Sequence, residues 1–260
     1  MNRMAAPQTL EQHPSVLPDA PKRRRQGRWS RYTPILDYHR VGEAKGDHVP
    51  TVSTDAFARQ LASLARWRYR VIGLDALVAQ LIAGEPMPRR CAVITFDDGY
   101  EETFRIAWPL LRSFGFSATV FVIPLEVGLP GFATWGQLTQ MADEGMLIGS
   151  HTMSHRYLPA ALDEQLPGEL IDSKRVIEAQ LGRSVDFLGY PIGAFTHEAQ
   201  RVAQRAGYLA ACTTNRGYRR GLDLFALRRI KITERDRLSL FFRAQLPGFY
   251  DAFRRVKPPG

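Results

Sequence analysis

The chain has 260 residues, of which 45% are hydrophobic and 23% are charged, a composition typical of a soluble globular domain and not of a disordered or fibrous chain. Only two cysteines occur, which excludes a framework of several disulfides and fits a reducing compartment. The net charge of +9 is concentrated at the two ends: residues 1–31 contain seven basic against two acidic residues, and residues 234–260 contain six against three.

The basic ends favour a peripheral contact with an anionic membrane surface, with flexible solubilising tails as the alternative. They do not indicate a nucleic-acid-binding protein, because they carry neither a known motif nor interleaved aromatic residues. No stretch resembles the apolar part of a signal peptide or reaches the length of a transmembrane helix. We therefore expect a cytoplasmic protein that contacts the inner face of the membrane at most peripherally; the sequence does not indicate an oligomeric state.

Three regions are predicted from composition. Residues 1–31 are rich in Pro and Arg and form a disordered leader, residues 32–233 form one globular domain, and residues 234–260 form a basic helical extension. Within the domain, short apolar runs with strand character occur at residues 34–39, 69–74, 91–96, 118–123, 146–150, 185–190, 208–213 and 225–232. Alternation of such runs with helical patterns predicts a parallel α/β fold, either a barrel or an open sheet.

Helical patterns lie between these runs, at residues 56–67, 103–114, 137–144, 170–181 and 198–206. Thr54 is the predicted cap of the first helix, and Thr134 with Gln137 predicts a capping box before the third. Pro109 is expected to kink or split the second helix, and Gly182 is expected to end the fourth.

Two adjacent carboxylates, Asp97 and Asp98, follow the apolar run 91–96, and Gly99 relieves the turn after them. In α/β barrels, catalytic side chains lie at the C-terminal ends of the strands. Neighbouring carboxylates beside a buried strand are costly unless a cation or a proton compensates their charge. The pair predicts a functional site, with a solvated Asp-Asp-Gly turn as the alternative.

Two histidines, His151 and His155, follow the apolar run 146–150 in the same way. Residues four apart share one face of a helical turn, so both imidazoles can bind one metal ion. Together with Asp98 they make a set of two imidazoles and one carboxylate with an open position, which is typical of a catalytic metal site and not of a closed structural one.

Residues 95–100 (TFDDGY) and 150–155 (SHTMSH) resemble the first two motifs of the polysaccharide deacetylase family, also known as the NodB-homology family or carbohydrate esterase family 4. The intervening residues 134–138 (TWGQL) resemble that family too, and the resemblance extends over roughly residues 33–232. It implies a distorted (β/α) barrel of about seven strands, a divalent ion held by Asp98, His151 and His155, and Asp97 as the catalytic base.

The sequence departs from the family at the third motif, commonly Arg-x-Pro-Tyr, in which the Arg orients the base. Here the matching stretch contains Gly189, Tyr190 and Pro191, so the Arg position holds Gly189 and the base is expected to lack its usual partner. The backbone N–H after the proline, which in the family helps to form the oxyanion hole, is retained as that of Ile192.

The family's late motif, which supplies a His as general acid, is also missing, because no histidine follows His197. Residues 36–41 (LDYHRV) instead resemble the branch that deacetylates poly-N-acetylglucosamine, in which an early Tyr-His provides the acid. The resemblance therefore implies His39 as general acid, and we expect Asp37 or Asp97 to raise its pKa into a useful range. Simple packing of His39 at a strand end is the alternative.

The resemblance implies a hydrolase that removes N-acetyl groups from an N-acetylated sugar or polysaccharide. One divalent ion is implied, with zinc favoured and nickel, cobalt, manganese or iron as alternatives. Trp135, Tyr190 and Pro191 are the predicted substrate-binding residues, the two aromatic rings by stacking on a sugar. An O-deacetylase or small-molecule amidohydrolase on the same metal site, and a catalytically weak glycan-binding barrel, are the alternatives.

Overall fold

A computed structural model of the chain describes residues 33–87, 90–214 and 222–246. The predicted leader, residues 1–31, and the end of the predicted extension, residues 247–260, lie outside the described residues. Ten strands occur in the described ranges: β1 Ile35–Tyr38, β2 Arg40–Val41, β3 Thr51–Val52, β4 Arg70–Val71, β5 Cys91–Phe96, β6 Thr119–Val122, β7 Leu147–Ser150, β8 Phe187–Gly189, β9 Ala210–Thr213 and β10 Leu227–Lys231.

Seven of these strands form a closed barrel in which every neighbouring pair is parallel. The order around the barrel is β1, β5, β6, β7, β8, β9 and β10, and pairing of β10 with β1 closes it. Spatial order therefore follows chain order, as expected where short connections link parallel strands. The prediction of a (β/α) barrel of about seven strands is confirmed, and the open sheet is excluded.

The remaining strands lie outside the barrel. The predicted run 69–74 is reduced to β4, which pairs with the first residues of β5, as in Arg70 with Cys91. β6 joins β5 only further along, from Thr95 onwards, so the two strands share one edge of β5 without competing. β2 and β3 form a separate two-stranded parallel sheet.

Seven α-helices occur in the described ranges: α1 Thr54–Arg66, α2 Leu74–Ala83, α3 Trp108–Ser113, α4 Trp135–Asp143, α5 Ser173–Leu181, α6 His197–Arg205 and α7 Ser239–Gln245. The capping box of Thr134 and Gln137 is confirmed, and Gly182 ends α5 in the left-handed conformation with φ 65°. The predicted cap of α1 is wrong by one residue, because the side chain of Ser53, not Thr54, accepts the N–H of Ala56. None of the helices described is both long and apolar enough to cross a membrane.

The second predicted helix is divided, as expected. A π-helical turn over Thr103–Ala107 leads into α3, and Pro109, which has no N–H to donate, is the second residue of α3. The sequence analysis did not predict α2, although Leu74, Leu77 and Val78 repeat at helical spacing and are buried.

The barrel interior changes from apolar to polar along the strands. Alternate residues of a strand point to one face, so β1, β5 and β10 each contribute two or more interior positions. Towards the N-terminal ends these positions hold Ile35, Val93 and Leu227, which pack with Phe187 and with the buried residues of α2. Two residues further along each strand they hold Asp37, Thr95 and Arg229, all buried. The strands thus carry a buried polar layer directly beneath their C-terminal ends.

Candidate active site

The three predicted metal ligands meet at the C-terminal end of the barrel. Asp98 follows β5, and His151 and His155 follow β7, the second strand along. Asp98 and His155 both adopt left-handed backbone conformations, with φ 70° and 56°, which turn their side chains towards one another. Asp98 Oδ1 lies 3.5 Å from Nε2 of His151 and 3.5 Å from Nε2 of His155.

A backbone contact fixes the orientation of His151. Its Nδ1 lies 2.7 Å from the carbonyl oxygen of Gly189, and because a carbonyl can only accept, Nδ1 carries the proton. The other ring nitrogen, Nε2, therefore points towards Asp98 Oδ1 and is the atom that can bind a metal ion. A hydrogen bond from the remote ring nitrogen is the usual way in which proteins orient a metal-binding histidine.

The donor set fits a divalent metal ion. Asp98 Oδ1 is buried and accepts no hydrogen bond from the described chain. A buried carboxylate oxygen without a partner is costly, and a cation is the partner that its charge calls for. One carboxylate oxygen and two imidazole nitrogens match the ligands of catalytic zinc and related ions.

Asp97, although adjacent to Asp98, has a different environment. Arg229 Nη1 donates to Asp97 Oδ1 and Nη2 donates to Oδ2, each at 2.6 Å, a bidentate pair inside the barrel. Burial alone would raise the pKa of Asp97, but the charge and hydrogen bonds of Arg229 hold that pKa well below its usual range. Asp97 is therefore ionised at neutral pH, as a proton acceptor must be.

Arg229 lies in β10 and is the functional residue that the sequence analysis missed. Its side chain is fully buried, donates to Thr95 Oγ1 at 3.2 Å, lies 3.1 Å from Asp37 Oδ1 and stacks over the ring of Phe121. The expectation that the base lacks an orienting partner is wrong, because Arg229 supplies one. A signal was present: a charged residue occupies an inward position of a predicted barrel strand, although the pattern does not reveal which carboxylate it pairs with.

The same structure explains why Gly189 cannot hold the family's arginine. A Cβ at this position would lie 3.0 Å from His151 Nδ1 and 3.0 Å from Cγ of Phe121. Gly149, on the neighbouring strand β7, also has no space for a side chain, because a Cβ there would lie 2.6 Å from the Phe121 ring. Phe121 thus fills the space beside β7 and β8, and the guanidinium reaches Asp97 from β10.

Asp37 and His39 complete the interior side of the site. One donor atom from each of Asp37, His39 and Asp97 lies within 4.8 Å of the others, and His39 Nδ1 is 3.9 Å from Asp37 Oδ1. Burial raises the pKa of Asp37 well above its usual value, against the opposing charge of Arg229.

The pKa of His39 is lowered by burial, which outweighs the opposing charges of Asp97 and Asp98. The expected rise in its pKa is therefore wrong, since desolvation outweighs the nearby carboxylates. The position of His39 next to Asp97 is nonetheless the one that a proton-transferring group would need.

Ile192 lies in the turn Pro191–Gly193 that follows β8. It adopts φ 59°, and its side chain is 71% exposed. Its carbonyl accepts the hydroxyl of Thr214 at 3.1 Å, whereas its N–H donates no hydrogen bond within the described part of the chain. Because the hydrogen bond from Thr214 holds this turn, the unused N–H of Ile192 can donate to a developing oxyanion.

The predicted substrate-binding residues fall into two groups. Trp135, the first residue of α4, is partly exposed. Tyr190 is fully buried and stacks on Phe195 with ring centroids 4.7 Å apart, and Pro191 is buried as well. The stacking prediction is wrong for Tyr190, because a ring packed in the core offers no face to a sugar.

A parallel (β/α) barrel with a convergent Asp-His-His set and an ionised carboxylate at the C-terminal ends of its strands defines an α/β-barrel enzyme. Residues 84–211 match the family model described as polysaccharide deacetylase. The chain therefore carries a region that matches a polysaccharide deacetylase domain.

Relatives agree with this assignment. The Bacillus subtilis protein YxkH, named as a polysaccharide deacetylase, is 29% identical over 201 residues, which are 77% of this chain and 71% of that protein. The Escherichia coli poly-β-1,6-N-acetyl-D-glucosamine N-deacetylase is 27% identical over 139 residues, 47% of this chain but only 21% of that protein. Among solved structures, the Streptococcus pyogenes deacetylase PplD in complex with acetate superposes with a TM-score of 0.73 at 25% identity, covering 87% of this chain and 98% of PplD.

Proposed function

We propose that the chain is a divalent-metal-dependent N-deacetylase that hydrolyses the N-acetyl group of an amino sugar within a polysaccharide. The observation that carries the proposal is the convergence of Asp98, His151 and His155, in which Asp98 Oδ1 lies 3.5 Å from both imidazoles and accepts no hydrogen bond. The match of residues 84–211 to the polysaccharide deacetylase family supports carbohydrate deacetylation. The donor set favours zinc and is compatible with nickel, cobalt, manganese or iron.

When bound, a divalent ion supplies Lewis-acid activation of the acetyl carbonyl and of the attacking water. Asp97 accepts a proton from that water, since Arg229 keeps its carboxylate ionised and fixes both oxygens. The low pKa of Asp97 also means that the proton is not retained there. The N–H of Ile192 donates to the tetrahedral oxyanion, an interaction typically worth about 3 kcal/mol.

His39 carries a proton to the leaving nitrogen. Its imidazole lies within 4.8 Å of a carboxylate oxygen of Asp97, so the proton that Asp97 releases can reach it through one bridging water. Because burial lowers its pKa, the imidazole is neutral at rest and regains that state after each transfer. The C–N bond breaks as the nitrogen receives the proton, and the products are a free amine and acetate.

The polysaccharide substrate is proposed from the named relatives, one of which is an N-deacetylase of poly-β-1,6-N-acetyl-D-glucosamine. Trp135, partly exposed at the start of α4, is the aromatic residue that we propose for stacking on a sugar ring. A catalytically weak glycan-binding barrel was an alternative only because the base lacked a partner, and Arg229 removes that reason.

The proposal is tested by measuring bound metal and acetate release on the full-length protein. We expect about one divalent ion per chain by elemental analysis, hydrolysis of chito-oligosaccharides, loss of activity with a chelator and recovery with added zinc or a related ion. Hydrolysis of O-acetyl sugars alone would indicate an O-deacetylase, and hydrolysis of simple amides alone would indicate an amidohydrolase. Bound metal without hydrolysis of any acetylated compound would contradict the enzymatic assignment.

A further inference from the structure

A cavity lies at the end of the barrel opposite to the candidate active site. It has a volume of about 370 Å³ and is lined by Arg66, Trp67, Tyr69, Arg90 and Arg243, a set that we call the arginine groove. Arg90 immediately precedes β5 and Asp97 immediately follows it. Since a strand rises by about 3.3 Å per residue, the groove is roughly 20 Å from the catalytic base.

The arginines of the groove have no carboxylate partner among the described residues. Within the described residues, none of its three arginines has a carboxylate within 4.0 Å, in contrast to Arg112 and Arg183, which pair with Glu144 and Asp143. Arg90 donates to the carbonyl of Trp67 at 2.9 Å, and Arg243 stacks over the Trp67 ring at 5.6 Å. These contacts orient the guanidinium groups but leave their positive charge uncompensated.

The two carboxylates that precede α7 are turned inward. Glu234 accepts the N–H of Ser53 at 2.8 Å, and Asp236, only 6% exposed, accepts the N–H of Thr233 at 3.0 Å. Arg235 and Arg237, between and after them, are exposed. The surface that leads into α7 is therefore cationic.

α7 adds an apolar surface next to these charges. Phe242 of α7 stacks on Trp67 with centroids 6.4 Å apart, which holds the helix against the groove. On its outer side Leu240 is 76% exposed and Phe241 is 47% exposed, and Leu238 just before the helix is 54% exposed. A soluble anion would not cover these side chains, whereas the interfacial layer of a bilayer accommodates apolar residues, Trp, Tyr and Arg together.

We propose that the arginine groove and the adjacent α7 form a docking surface for an anionic phospholipid bilayer. The guanidinium groups pair with lipid phosphates, Trp67 and Tyr69 lie at headgroup level, and Leu240 and Phe241 enter the acyl boundary. This docking leaves the catalytic end of the barrel free to receive a polymer. It goes beyond deacetylation and does not depend on the identity of the substrate.

The test is sedimentation of the full-length protein with phosphatidylcholine vesicles that contain or lack phosphatidylglycerol. We expect binding only to the anionic vesicles, weakening as salt is raised. A variant with Arg66→Gln, Arg90→Gln and Arg243→Gln should lose roughly 100-fold in partitioning, about fivefold for each arginine. The matched control, Arg175→Gln with Arg201→Gln and Arg205→Gln, removes three exposed arginines elsewhere and should retain binding. Acetate release should be the same in both.

Leu240→Ser with Phe241→Ser provides a second test that does not depend on the arginines, and it should also weaken vesicle binding without affecting the fold. Equal binding by the wild type and the groove variant would assign the contact to the basic ends and overturn the proposal. Competition by inorganic phosphate with no effect of the α7 variant would indicate a soluble anion site instead. Binding to duplex DNA but not to anionic vesicles would indicate a nucleic-acid surface and also overturn it.

Discussion

The catalytic end of the barrel consists of two halves that share one strand end and differ in how charge is compensated. In the metal half, Asp98 and the two histidines face one another with a buried carboxylate oxygen that accepts no hydrogen bond. In the base half, Asp97 makes two hydrogen bonds of 2.6 Å to a buried guanidinium that also lies 3.1 Å from Asp37. In the first half the charge of Asp98 is left for the proposed metal ion, whereas in the second the charge of Asp97 is compensated by Arg229.

The difference shows that adjacency in sequence does not determine the role of a carboxylate. Asp97 continues the inward alternation of β5 and enters the barrel, where Arg229 keeps it ionised. Asp98, with φ 70°, turns out of that alternation towards the histidines that follow β7. The proposed roles of these two chemically identical groups, metal ligand and base, thus follow from the direction in which each leaves the strand.

The largest effects are expected from removing the two carboxylates one at a time. Asp98→Ala should abolish both stoichiometric metal and activity, since it removes the anionic ligand. Asp97→Asn should keep the metal while turnover falls by roughly 10²–10⁴, because the amide cannot accept a proton. Elemental analysis and acetate release on the same preparations measure both. Equal loss of metal in the two variants would mean that both carboxylates are ligands, and the distinction between the halves would fail.

His39→Ala tests whether proton delivery belongs to the base half. We expect retained metal and fold and a loss of roughly 10²–10⁴ in turnover on an N-acetyl sugar. The loss should shrink on an activated acetyl ester, whose leaving group needs no proton. His197→Ala is the matched control, because His197 is exposed at the start of α6. A loss of equal size on amide and ester would assign His39 to positioning instead.

Arg229→Gln tests whether the base half depends on its guanidinium. Breaking a buried charge pair is expected to reduce the free energy of unfolding by about 3–5 kcal/mol. Without Arg229, burial raises the pKa of Asp97, so the acid limb of kcat/KM should move to higher pH. In the wild type Asp97 stays ionised through the usual carboxylate range, so its protonation does not limit activity there. In the wild type, the stability from ionised Asp97 is present above its unfolded pKa and is lost as the pH falls through the folded value.

Arg229→Lys serves as the companion variant if the glutamine variant folds poorly. It keeps the charge but not the bidentate geometry, so activity should be intermediate and the acid limb should stay close to that of the wild type. An unchanged pH profile in a folded glutamine variant would show that the arginine does not control the base.

The smallest effect is expected at Ile192, whose backbone and not its side chain is assigned to the site. Ile192→Gly keeps the N–H and relieves a left-handed φ that is unfavourable for a β-branched residue. The free energy of unfolding, measured by thermal denaturation, should change by less than about 1 kcal/mol. Turnover should stay within about twofold of the wild type. A loss of tenfold or more would show that the exposed side chain itself contacts the substrate.

The two halves also differ in how far the sequence predicts them. The metal half is encoded by two short local patterns, Asp97-Asp98-Gly99 and the histidines four residues apart, each directly after a strand. The base half depends on Arg229, which is separated from Asp97 by 132 residues and meets it only because β10 closes the barrel on β1. Strand alternation and the strand count were readable from the sequence. The burial of Tyr190 and the lowered pKa of His39 were not, because both depend on how neighbouring elements pack.

The ring of Phe121 leaves room for an arginine at position 229 or at position 189, but not at both. Its ring occupies the space where a side chain at Gly149 or Gly189 would begin, and the same ring is the surface on which Arg229 stacks. An arginine at position 189 would therefore require a smaller residue at position 121, which in turn would leave Arg229 without its support. Substitutions at 121, 149, 189 and 229 should then be tolerated together and rejected singly. A barrel could be recombined from strands of this chain and of a protein with an arginine at the position of Gly189. It would carry either two competing guanidinium groups or none.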